Sequence, residues 1–358
     1  MPELKTHPDG LRANRWTAIV RAVGVGVAAM SLSSVGLVDR VWGQPYDDAP
    51  HSLRVMSWNV EWMFDDDPSD NRSSLAREQS APSRAYWEAK RDGVAAVIAE
   101  HEPEIVSLQE IEGVQTLNEL IATLRTEHKL SYHYAFIQGR DNFTEQDVGL
   151  LVRYGLVGYS RREQSKRMFE SQQFYNLSKH LFAEFRWGDV ASPLIVMTVH
   201  LRATVEAEDL RVKQARLARH WLEPALQAGE DVILLGDLNT EQPVVNPNED
   251  VPVAGDIAAI VGSVGQIPMV DLLTRLPDTA EATHIVLAKQ FDRIMVSESM
   301  LVDAEGEDWC FAKIEILRDQ IVRGQPDGPA HWSQRLTLGV DEFDLSDHYP
   351  VMATFELR

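Results

Sequence analysis

Five short polar segments follow or end apolar runs in this chain. They are 57–61 (SWNVE), 108–110 (LQE), 236–239 (GDLN), 291–294 (FDRI) and 346–350 (SDHYP). Each apolar run is typical of a buried strand, and a strand that ends in a carboxylate, amide or imidazole brings that group to the rim of a sheet, where clefts form. Hard oxygen ligands and a histidine beside a carboxylate suit a divalent cation and proton transfer at a phosphorus centre.

The stretches between these segments alternate between strand and helix patterns. Strands are predicted over 53–60, 105–108, 132–136, 148–152, 181–185, 194–199, 232–235, 294–296 and 351–355, and helices over 85–99, 114–126 and 210–226. Loops are predicted over 65–83 and 241–268, and 305–334 is predicted to be an insertion beside the cleft. Because strands and helices intermix without a linker, we expect one α/β domain over residues 53–358, after a polar linker at 44–52.

The composition is that of an ordinary soluble enzyme. The chain has 358 residues, of which 44% are hydrophobic and 25% are charged. Cys310 is its one cysteine, which excludes an intrachain disulfide and a cysteine-rich metal site. Nothing in the sequence near Cys310 indicates a group that would activate it as a nucleophile. No repeat with a period of 20 to 50 residues is present, which argues against a solenoid or a propeller.

The first 43 residues resemble an export signal. Arg12, Arg15 and Arg21 precede a weakly apolar stretch at 22–38, and small residues surround Gly43. This pattern predicts a signal peptide over residues 1–43, cleaved near Gly43, and a periplasmic or secreted protein. The alternatives are an uncleaved membrane anchor over residues 18–38 and a disordered extension. No cysteine follows the apolar stretch, so a lipoprotein anchor is excluded.

The chain is strongly acidic, with a net charge of −21. Removing residues 1–43 takes away five basic and three acidic residues and leaves a net charge of −23. Such a protein repels a polyanion at long range, so broad electrostatic capture of nucleic acid is not its mode of binding. Bound cations or a local basic rim would soften this repulsion, and a nuclease therefore stays possible.

The ordered polar segments resemble those of the endonuclease/exonuclease/phosphatase superfamily, whose members share the DNase I-like fold. The resemblance covers nearly all of residues 53–358 and is that of a secreted bacterial-type member. One segment alone would be weak evidence, but the set stands in the family's order with each segment at a strand end. The resemblance implies a four-layer α-β-β-α sandwich of two mixed β-sheets.

Glu110 is the strongest candidate for a metal ligand. A carboxylate at the exit of a buried strand is costly unless it binds a cation or an ion-pair partner. The alternatives are a salt bridge or a cap for the following helix. Asn59 and Asp347 would complete the site directly or through water. Mg²⁺ keeps several waters and needs few protein ligands, so this sparse set suits it, with Mn²⁺ as a substitute.

The resemblance assigns in-line attack at phosphorus to His348. It implies that Asp292 orients the imidazole ring and stabilises the imidazolium as the attacking water loses its proton. A lone histidine before Tyr-Pro is more often a hydrogen-bonded structural residue. The adjacent Asp347 and the segment around Asp292 favour the catalytic role.

Four further residues are assigned by the same resemblance. His200 matches the second histidine of the family, which contacts the scissile phosphate or protonates the leaving oxygen. Asp147 is its expected orienting carboxylate, with Glu145 as the rival. Asp237 and Asn239 match positions that align the water and hold a phosphoryl oxygen, and as residues i and i+2 of an extended strand they face the same way. An Asx turn is the structural alternative for them.

The sequence departs from the family at one phosphate contact. Secreted DNases carry an arginine near the position of Lys179, where this chain has none. Lys179 would replace it as a point charge rather than a bidentate fork. Arg140 is a second candidate for binding the substrate phosphate, and an exposed structural arginine is the alternative.

These residues predict a monomeric, Mg²⁺-dependent phosphodiesterase that hydrolyses DNA. A sphingomyelinase-like lipid phosphodiesterase is the runner-up, favoured by the acidity, and an inositol-phosphate phosphatase is third. A membrane would be a partner only for a lipid substrate or an uncleaved anchor. A non-catalytic binding module is disfavoured because all the expected site residues are present. These are Glu110, Asp237, Asn239, Asp292, Asp347 and His348.

Overall fold

The computed structural model describes residues 41–42, 48–188, 190–240, 255–279, 281–303, 308–323 and 328–358. They belong to one compact unit, Gly36–Arg358. The predicted signal peptide lies outside the described residues apart from residues 41–42. The first part of the predicted loop at 241–268, residues 241–254, also lies outside them.

The described residues form thirteen strands and seven α-helices. The strands are β1 (Val41–Trp42), β2 (Ser52–Met63), β3 (Ile105–Ile111), β4 (His133–Ala135), β5 (Asp147–Val152), β6 (Leu156–Ser160), β7 (His180–Phe185), β8 (Leu194–His200), β9 (Asp231–Asp237), β10 (Met269–Asp271), β11 (Asp292–Ser297), β12 (Trp309–Ile316) and β13 (Val351–Leu357). The helices are α1 (Ser74–Gln79), α2 (Arg84–His101), α3 (Val114–Glu127), α4 (Lys166–Glu170), α5 (Glu208–Ala228), α6 (Gly255–Val261) and α7 (His331–Gln334).

The strands are arranged in two mixed sheets. The first sheet has six strands in the order β12-β13-β2-β3-β5-β4, and the second has seven in the order β1-β6-β7-β8-β9-β11-β10. Within the described residues each sheet contains one parallel pair, β2 with β3 and β8 with β9, and the other neighbours are antiparallel. The carboxyl ends of each parallel pair lie at the same edge of their sheet.

Three apolar clusters hold these layers together. Side chains from both sheets, such as Val55, Leu150 and Ile233, form the core between them. Along β2, Leu53 and Val55 enter that core, whereas the alternate residues Met56 and Trp58 pack with residues of α2 and α3 on the outer face. Residues of α5 and α6 cover the outer face of the second sheet in the same way. The four-layer α-β-β-α sandwich implied by the sequence is confirmed.

Two of the predicted irregular segments are partly regular. The stretch 305–334 is not simply an insertion, because β12 pairs with β13 along the edge of the first sheet. Its exposed Lys313 and half-buried Glu315 interrupt the apolar pattern, as is common for an edge strand. The loop predicted at 65–83 contains the short helix α1, whose N-cap is Ser73. Among the described helices, none is long and apolar enough to cross a membrane.

Candidate active site

His348 and Asp292 form a buried hydrogen-bonded pair. Asp292 opens β11, and its Oδ2 lies 2.7 Å from Nδ1 of His348. The backbone of His348 is fixed on both sides, because its N–H donates to Ser346 Oγ and its carbonyl accepts from the indole of Trp58. With Nδ1 held by an ionised carboxylate, Nε2 is the ring nitrogen left to exchange a proton.

Nε2 of His348 faces a group of polar side chains. It lies 3.5 Å from Nδ2 of Asn59, 3.7 Å from Oδ1 of Asp347 and 4.0 Å from Oδ2 of Asp237. Burial by itself lowers the pKa of His348, but the carboxylates of Asp292, Asp347 and Asp237 raise this pKa well above its ordinary value. The pair is therefore built to stabilise a positive charge on the imidazole.

The register of the second sheet aligns three of the predicted site residues. His200 at the end of β8 lies opposite Asp237 at the end of β9, and Asp237 lies opposite Asp292. Nε2 of His200 is 3.5 Å from Oδ2 of Asp237 and 3.8 Å from Oε1 of Glu110. Burial lowers the pKa of His200 well below its ordinary value, so this ring is neutral and its Nε2–H faces the two carboxylates.

A close approach of two backbones requires glycine at position 236. A Cβ added there would lie 1.9 Å from the carbonyl oxygen of Val199, and the φ of Gly236 is +137°. L-residues rarely adopt that φ. Gly236 therefore allows β9 to lie close enough to β8 for His200 and Asp237 to meet.

Glu110 reaches the cleft through a β-bulge. The pairing of β3 with β5 is regular up to Gln109 and resumes at Ile111, so Glu110 is the extra residue, with φ +62°. A bulge bends its strand and redirects a side chain. Oε2 of Glu110 accepts a hydrogen bond from the N–H of Trp62 at 3.0 Å, and Oε1 accepts one from Nδ2 of Asn59 at 3.2 Å.

Asn59 connects the two sheets at the centre of the site. Its Nδ2 donates to Oδ2 of Asp237 at 2.9 Å as well as to Glu110. Its Oδ1 accepts the N–H of Glu61 at 3.0 Å. Glu110, Asn59 and Asp237, which are far apart in sequence, thus form one contiguous hydrogen-bonded group.

The charge at this group fits a divalent cation. Burial raises the pKa of Asp237 to about 7 and that of Asp347 to about 6, and neighbouring carboxylates add to the rise in both. One oxygen or nitrogen atom from each of Glu110, His200 and Asp237 falls within 4.8 Å of the others, as does one from each of His284, Asp347 and His348. Crowded carboxylate oxygens beside an amide are the donors that Mg²⁺ and Mn²⁺ prefer.

Asn239 forms the Asx turn that was the structural alternative for this segment. Its backbone N–H donates to Oδ1 of Asp237 at 2.7 Å, and its Nδ2 donates to the carbonyl of Leu201 and to Oδ2 of Asp237. Its φ is +49°. Asn239 also lines the cleft, so the turn does not remove it from the site.

The structure does not bring Asp147 to His200. Oδ1 of Asp147 accepts the N–H of Gly139 at 2.7 Å, and burial raises the pKa of Asp147 to about 7. The rival Glu145 accepts the backbone N–H groups of Arg72 and Ser73 instead. Among the described residues, no hydrogen bond reaches the buried Nδ1 of His200. The expectation of an orienting carboxylate for this ring is therefore wrong.

The two candidate phosphate contacts lie in different surroundings. Lys179 lines the cleft, and its Nζ donates to Oε1 of Gln146 at 2.8 Å and pairs with Asp141 at 3.2 Å. Arg140 is 70% exposed and pairs with Glu163 on the surface at 3.4 Å. It is not among the described residues that line the cleft, so the structure favours the structural alternative for Arg140.

Seven of the predicted site residues line one cleft of about 590 Å³: Glu110, Lys179, His200, Asp237, Asn239, Asp347 and His348. Its rim includes three exposed apolar side chains, Phe143, Leu287 and Trp332. The indole N–H of Trp332 donates to Oδ2 of Asp347 at 2.8 Å. His284 also lines the cleft, and burial, followed by the charge of His348, lowers its pKa to about 2. Sequence reasoning missed Trp332 and His284, because no strand-end pattern marks either position.

A buried ionic network holds the turn that carries Trp332. Both carboxylate oxygens of Glu61 lie 2.9 Å from Nε2 of His331, and Nε of Arg335 lies 3.2 Å from Oε1. Burial raises the pKa of Glu61, but Arg335 and the contact with His331 outweigh it and lower the value to about 2. Residues 331–334, which belong to the predicted insertion at 305–334, and the following Arg335 are therefore anchored directly behind the candidate metal ligands.

Comparisons with known proteins identify the family and the fold. The model of the Endonuclease/Exonuclease/phosphatase family matches residues 56–348. No curated protein sequence gives a significant match. The catalytic domain of human nocturnin with a bound sulfate anion is 16% identical, covers 90% of this chain and 97% of its own, and has a TM-score of 0.53.

Two other solved structures share the fold at similar identity. D. rerio TDP2, complexed with a single-strand DNA product, is 17% identical over 86% of this chain and 100% of its own, with a TM-score of 0.52. An endonuclease/exonuclease/phosphatase family protein from Bacteroides thetaiotaomicron is 16% identical over 86% of this chain and 98% of its own, with a TM-score of 0.50.

Proposed function

This chain belongs to the endonuclease/exonuclease/phosphatase family of phosphoric ester hydrolases, and we propose that it is a divalent-metal-dependent phosphodiesterase acting on DNA. The observation that carries the proposal is the shared cleft. The buried pair of His348 and Asp292 opens into the same space as the carboxylates of Glu110, Asp237 and Asp347. Hydrolysis of a phosphodiester needs both a proton acceptor and a means to offset negative charge, and the cleft holds residues for both.

Glu110 and Asp237, whose carboxylate oxygens lie together, would hold the metal ion. Asp347, which is grouped with His348, would join through water. Asn59 directs Nδ2 at Glu110 and Asp237, so its role would be to orient these two carboxylates. Mg²⁺ is the expected ion and Mn²⁺ the substitute. When bound, such an ion supplies Lewis-acid polarisation of the phosphoryl oxygen.

The chain's own residues account for the proton transfers. The raised pKa of His348 comes in part from Asp347 and Asp237, and a cation held at those carboxylates would lower this pKa and leave Nε2 unprotonated. As water attacks phosphorus, Nε2 of His348 accepts its proton, and the hydrogen bond from Nδ1–H to Asp292 stabilises the resulting imidazolium. The ester P–O bond opposite the attacking oxygen breaks, the leaving oxygen takes a proton from solvent water, and the imidazolium of His348 then releases its proton to solvent. His200 is neutral and contributes a hydrogen bond through Nε2–H. Asn239 lines the cleft, and one hydrogen of its Nδ2 would turn from Asp237 Oδ2 to a phosphoryl oxygen when substrate binds.

Two observations support DNA as the substrate. D. rerio TDP2, a protein of the same fold, binds a single-strand DNA product. The cleft also contains two cations, Lys179 and the exposed Arg202, beside the candidate catalytic residues. Lys179 is already paired with Asp141, so of these two the exposed Arg202 is the cation offered to a phosphate backbone, despite the net charge of −21.

A lipid phosphodiesterase is the second candidate, and the rim of the cleft favours it. Phe143 is 71% exposed, Trp332 47% and Leu287 44%. Exposed apolar side chains around a catalytic cleft suit contact with a membrane surface as well as stacking on bases.

A hydrolysis panel with and without chelator separates these functions. The substrates are plasmid DNA, single-stranded DNA, RNA, sphingomyelin vesicles and an inositol polyphosphate. We expect chelator-sensitive cleavage of DNA by the wild type and at least a 100-fold loss in His348→Ala. Cleavage of sphingomyelin with DNA left intact would replace the DNA proposal by the lipid one.

We further propose that residues 1–43 direct export and that the mature enzyme is a monomer. Sequencing the N-terminus of the mature protein is expected to give a chain that begins near residue 44, and an intact Met1 would contradict cleavage. Light scattering of the same preparation is expected to give the mass of one chain.

A further inference from the structure

His284 is held beside His348 by backbone pairing. The two residues face each other in an isolated antiparallel bridge. On either side of that bridge, the N–H of Ile285 donates to the carbonyl of Asp347 and the N–H of Tyr349 donates to the carbonyl of Thr283, both at 2.7 Å. The imidazole rings of His284 and His348 consequently lie 4.5 Å apart.

The backbone also determines which nitrogen of His284 carries the proton. The N–H of Leu287 donates to Nδ1 of His284 at 3.2 Å. A ring nitrogen that accepts a hydrogen bond is not protonated, so the ring is neutral and the hydrogen is on Nε2. Phe291 packs edge-to-face against the ring at 5.1 Å, which restricts its rotation.

The Nε2–H of His284 has no acceptor within hydrogen-bonding distance among the described residues. Oδ2 of Asp347 lies 3.7 Å from this nitrogen, beyond the limit for a hydrogen bond. That oxygen already accepts the indole N–H of Trp332. His284 lines the cleft, so its donor is available to a molecule bound there.

We propose that His284 is a further catalytic residue, which donates a hydrogen bond from Nε2–H to one non-bridging oxygen of the scissile phosphoryl group. The proposal rests on the phosphodiesterase function proposed above. The proton stays on Nε2 throughout, because the role of the ring is to stabilise negative charge as it develops on that oxygen. The bond to Leu287 keeps the donor in place before substrate binds.

Chiral phosphorothioate esters give the sharpest test. The probes are thymidine 5′-(p-nitrophenyl phosphate) and its Rp and Sp phosphorothioates, in which sulfur replaces one or the other non-bridging oxygen. The variants are His284→Leu, which removes the donor, and His284→Gln, which keeps an N–H group near the position of Nε2. His220→Leu on the exposed side of α5 is the matched control.

For the oxygen ester, we expect kcat to fall about 100-fold in His284→Leu and to recover by about tenfold in His284→Gln, with no change in the control. Sulfur accepts hydrogen bonds poorly. The oxygen-to-sulfur rate ratio should therefore shrink in His284→Leu for one diastereomer and stay at its wild-type value for the other.

Three results would overturn the proposal. One is an unchanged kcat in His284→Leu. Another is an equal loss for all three probes, which would mean that the ring acts only by positioning Asp347. The third is failure of wild-type enzyme to hydrolyse the oxygen ester, and this result alone would also contradict the proposed function. If His284→Leu loses its thermal transition, the ratios are read from His284→Gln. There, a kcat about tenfold below wild type with a smaller oxygen-to-sulfur ratio for one diastereomer supports the donor, whereas an unchanged kcat or an equal loss for all three probes contradicts it.

Discussion

The two sheets bring different groups to the cleft and use different backbone geometries to do so. In the second sheet, His200, Asp237 and Asp292 lie directly opposite one another on three regularly paired strands. In the first sheet, the pairing of β2 with β3 becomes irregular after Asn59, and Glu110 occupies a bulge of β3. Three non-glycine residues there, Glu61, Trp62 and Glu110, have positive φ.

This difference indicates what each kind of chemistry requires. Bringing His200, Asp237 and Asp292 together needs only the ordinary register of the second sheet, because opposite side chains on neighbouring strands are already close. A carboxylate that must turn toward a cation needs an interruption of the regular strand pairing, such as the bulge at Glu110. That interruption places residues in the left-handed region, and each of them costs about 1 kcal/mol or more. We expect the backbone strain that positions Glu110 to lower the stability of the first sheet. We expect small changes of register in the second sheet to disrupt its site residues.

The largest effect is expected from Asp292→Asn. The amide would present an N–H to Nδ1 of His348 and leave the proton on Nε2, the nitrogen that must accept one. We expect kcat to fall by about 1,000-fold or more, with the unfolding temperature changed by a few degrees. Asp271→Asn is the control, because this buried carboxylate pairs with Arg293 near the same strand. It should lower stability and spare kcat, and equal losses of kcat in both variants would contradict the role of Asp292.

The next effect concerns the register of the second sheet. In Gly236→Ala the new methyl group meets the carbonyl of Val199 in a backbone conformation that alanine rarely adopts. We expect the free energy of unfolding to fall by about 3 kcal/mol or more in denaturant titrations. Gly113→Ala, where a Cβ meets nothing within 4 Å, should lose less than about 1 kcal/mol. Similar losses at the two positions would remove the distinction between them.

The smallest effect tests the strain in the first sheet. Glu110→Ala removes the carboxylate but keeps a side chain on a left-handed backbone, so the strain stays. Glu110→Gly removes both the carboxylate and the strain, because glycine adopts a positive φ without a steric clash. We expect the glycine variant to be about 1 kcal/mol more stable than the alanine variant, although both are inactive. Glu88 inside α2 is the control: there the alanine variant should be the more stable of the two, because glycine destabilises the interior of a helix. A more stable alanine variant at position 110 would show that the bulge stores no strain.

The strand-end pattern predicted much of the fold and of the site. Apolar runs that end in Asp237, in Glu110 or at Asn59 could be located in the sequence because strand burial produces continuous apolar patterns. Their order implied the layered sandwich that the structure shows. The pair of Asp292 with His348 came from resemblance, and the 2.7 Å contact between them agrees with it.

Other parts depend on contacts that no local pattern encodes. Asp147 opens the apolar strand β5, but its side chain accepts the N–H of Gly139 and does not reach His200. His284 reaches the cleft through a bridge to His348, and Trp332 through the burial of His331 against Glu61. These positions result from packing between loops that are distant in sequence. Apolar residues in such loops recur with neither the helical nor the strand spacing, so no local pattern predicts where the loops lie.

The central claim is that one cleft holds both a cation site and the His348–Asp292 pair. The metal dependence of hydrolysis is its most direct test. Wild-type enzyme and Glu110→Gln are stripped with EDTA, and DNA hydrolysis is then followed as Mg²⁺ or Mn²⁺ is added back. We predict that EDTA abolishes hydrolysis by the wild type, that added Mg²⁺ restores it, and that Glu110→Gln stays at least about 100-fold slower while remaining folded. Full hydrolysis in EDTA, or equal recovery of both proteins, would contradict the account.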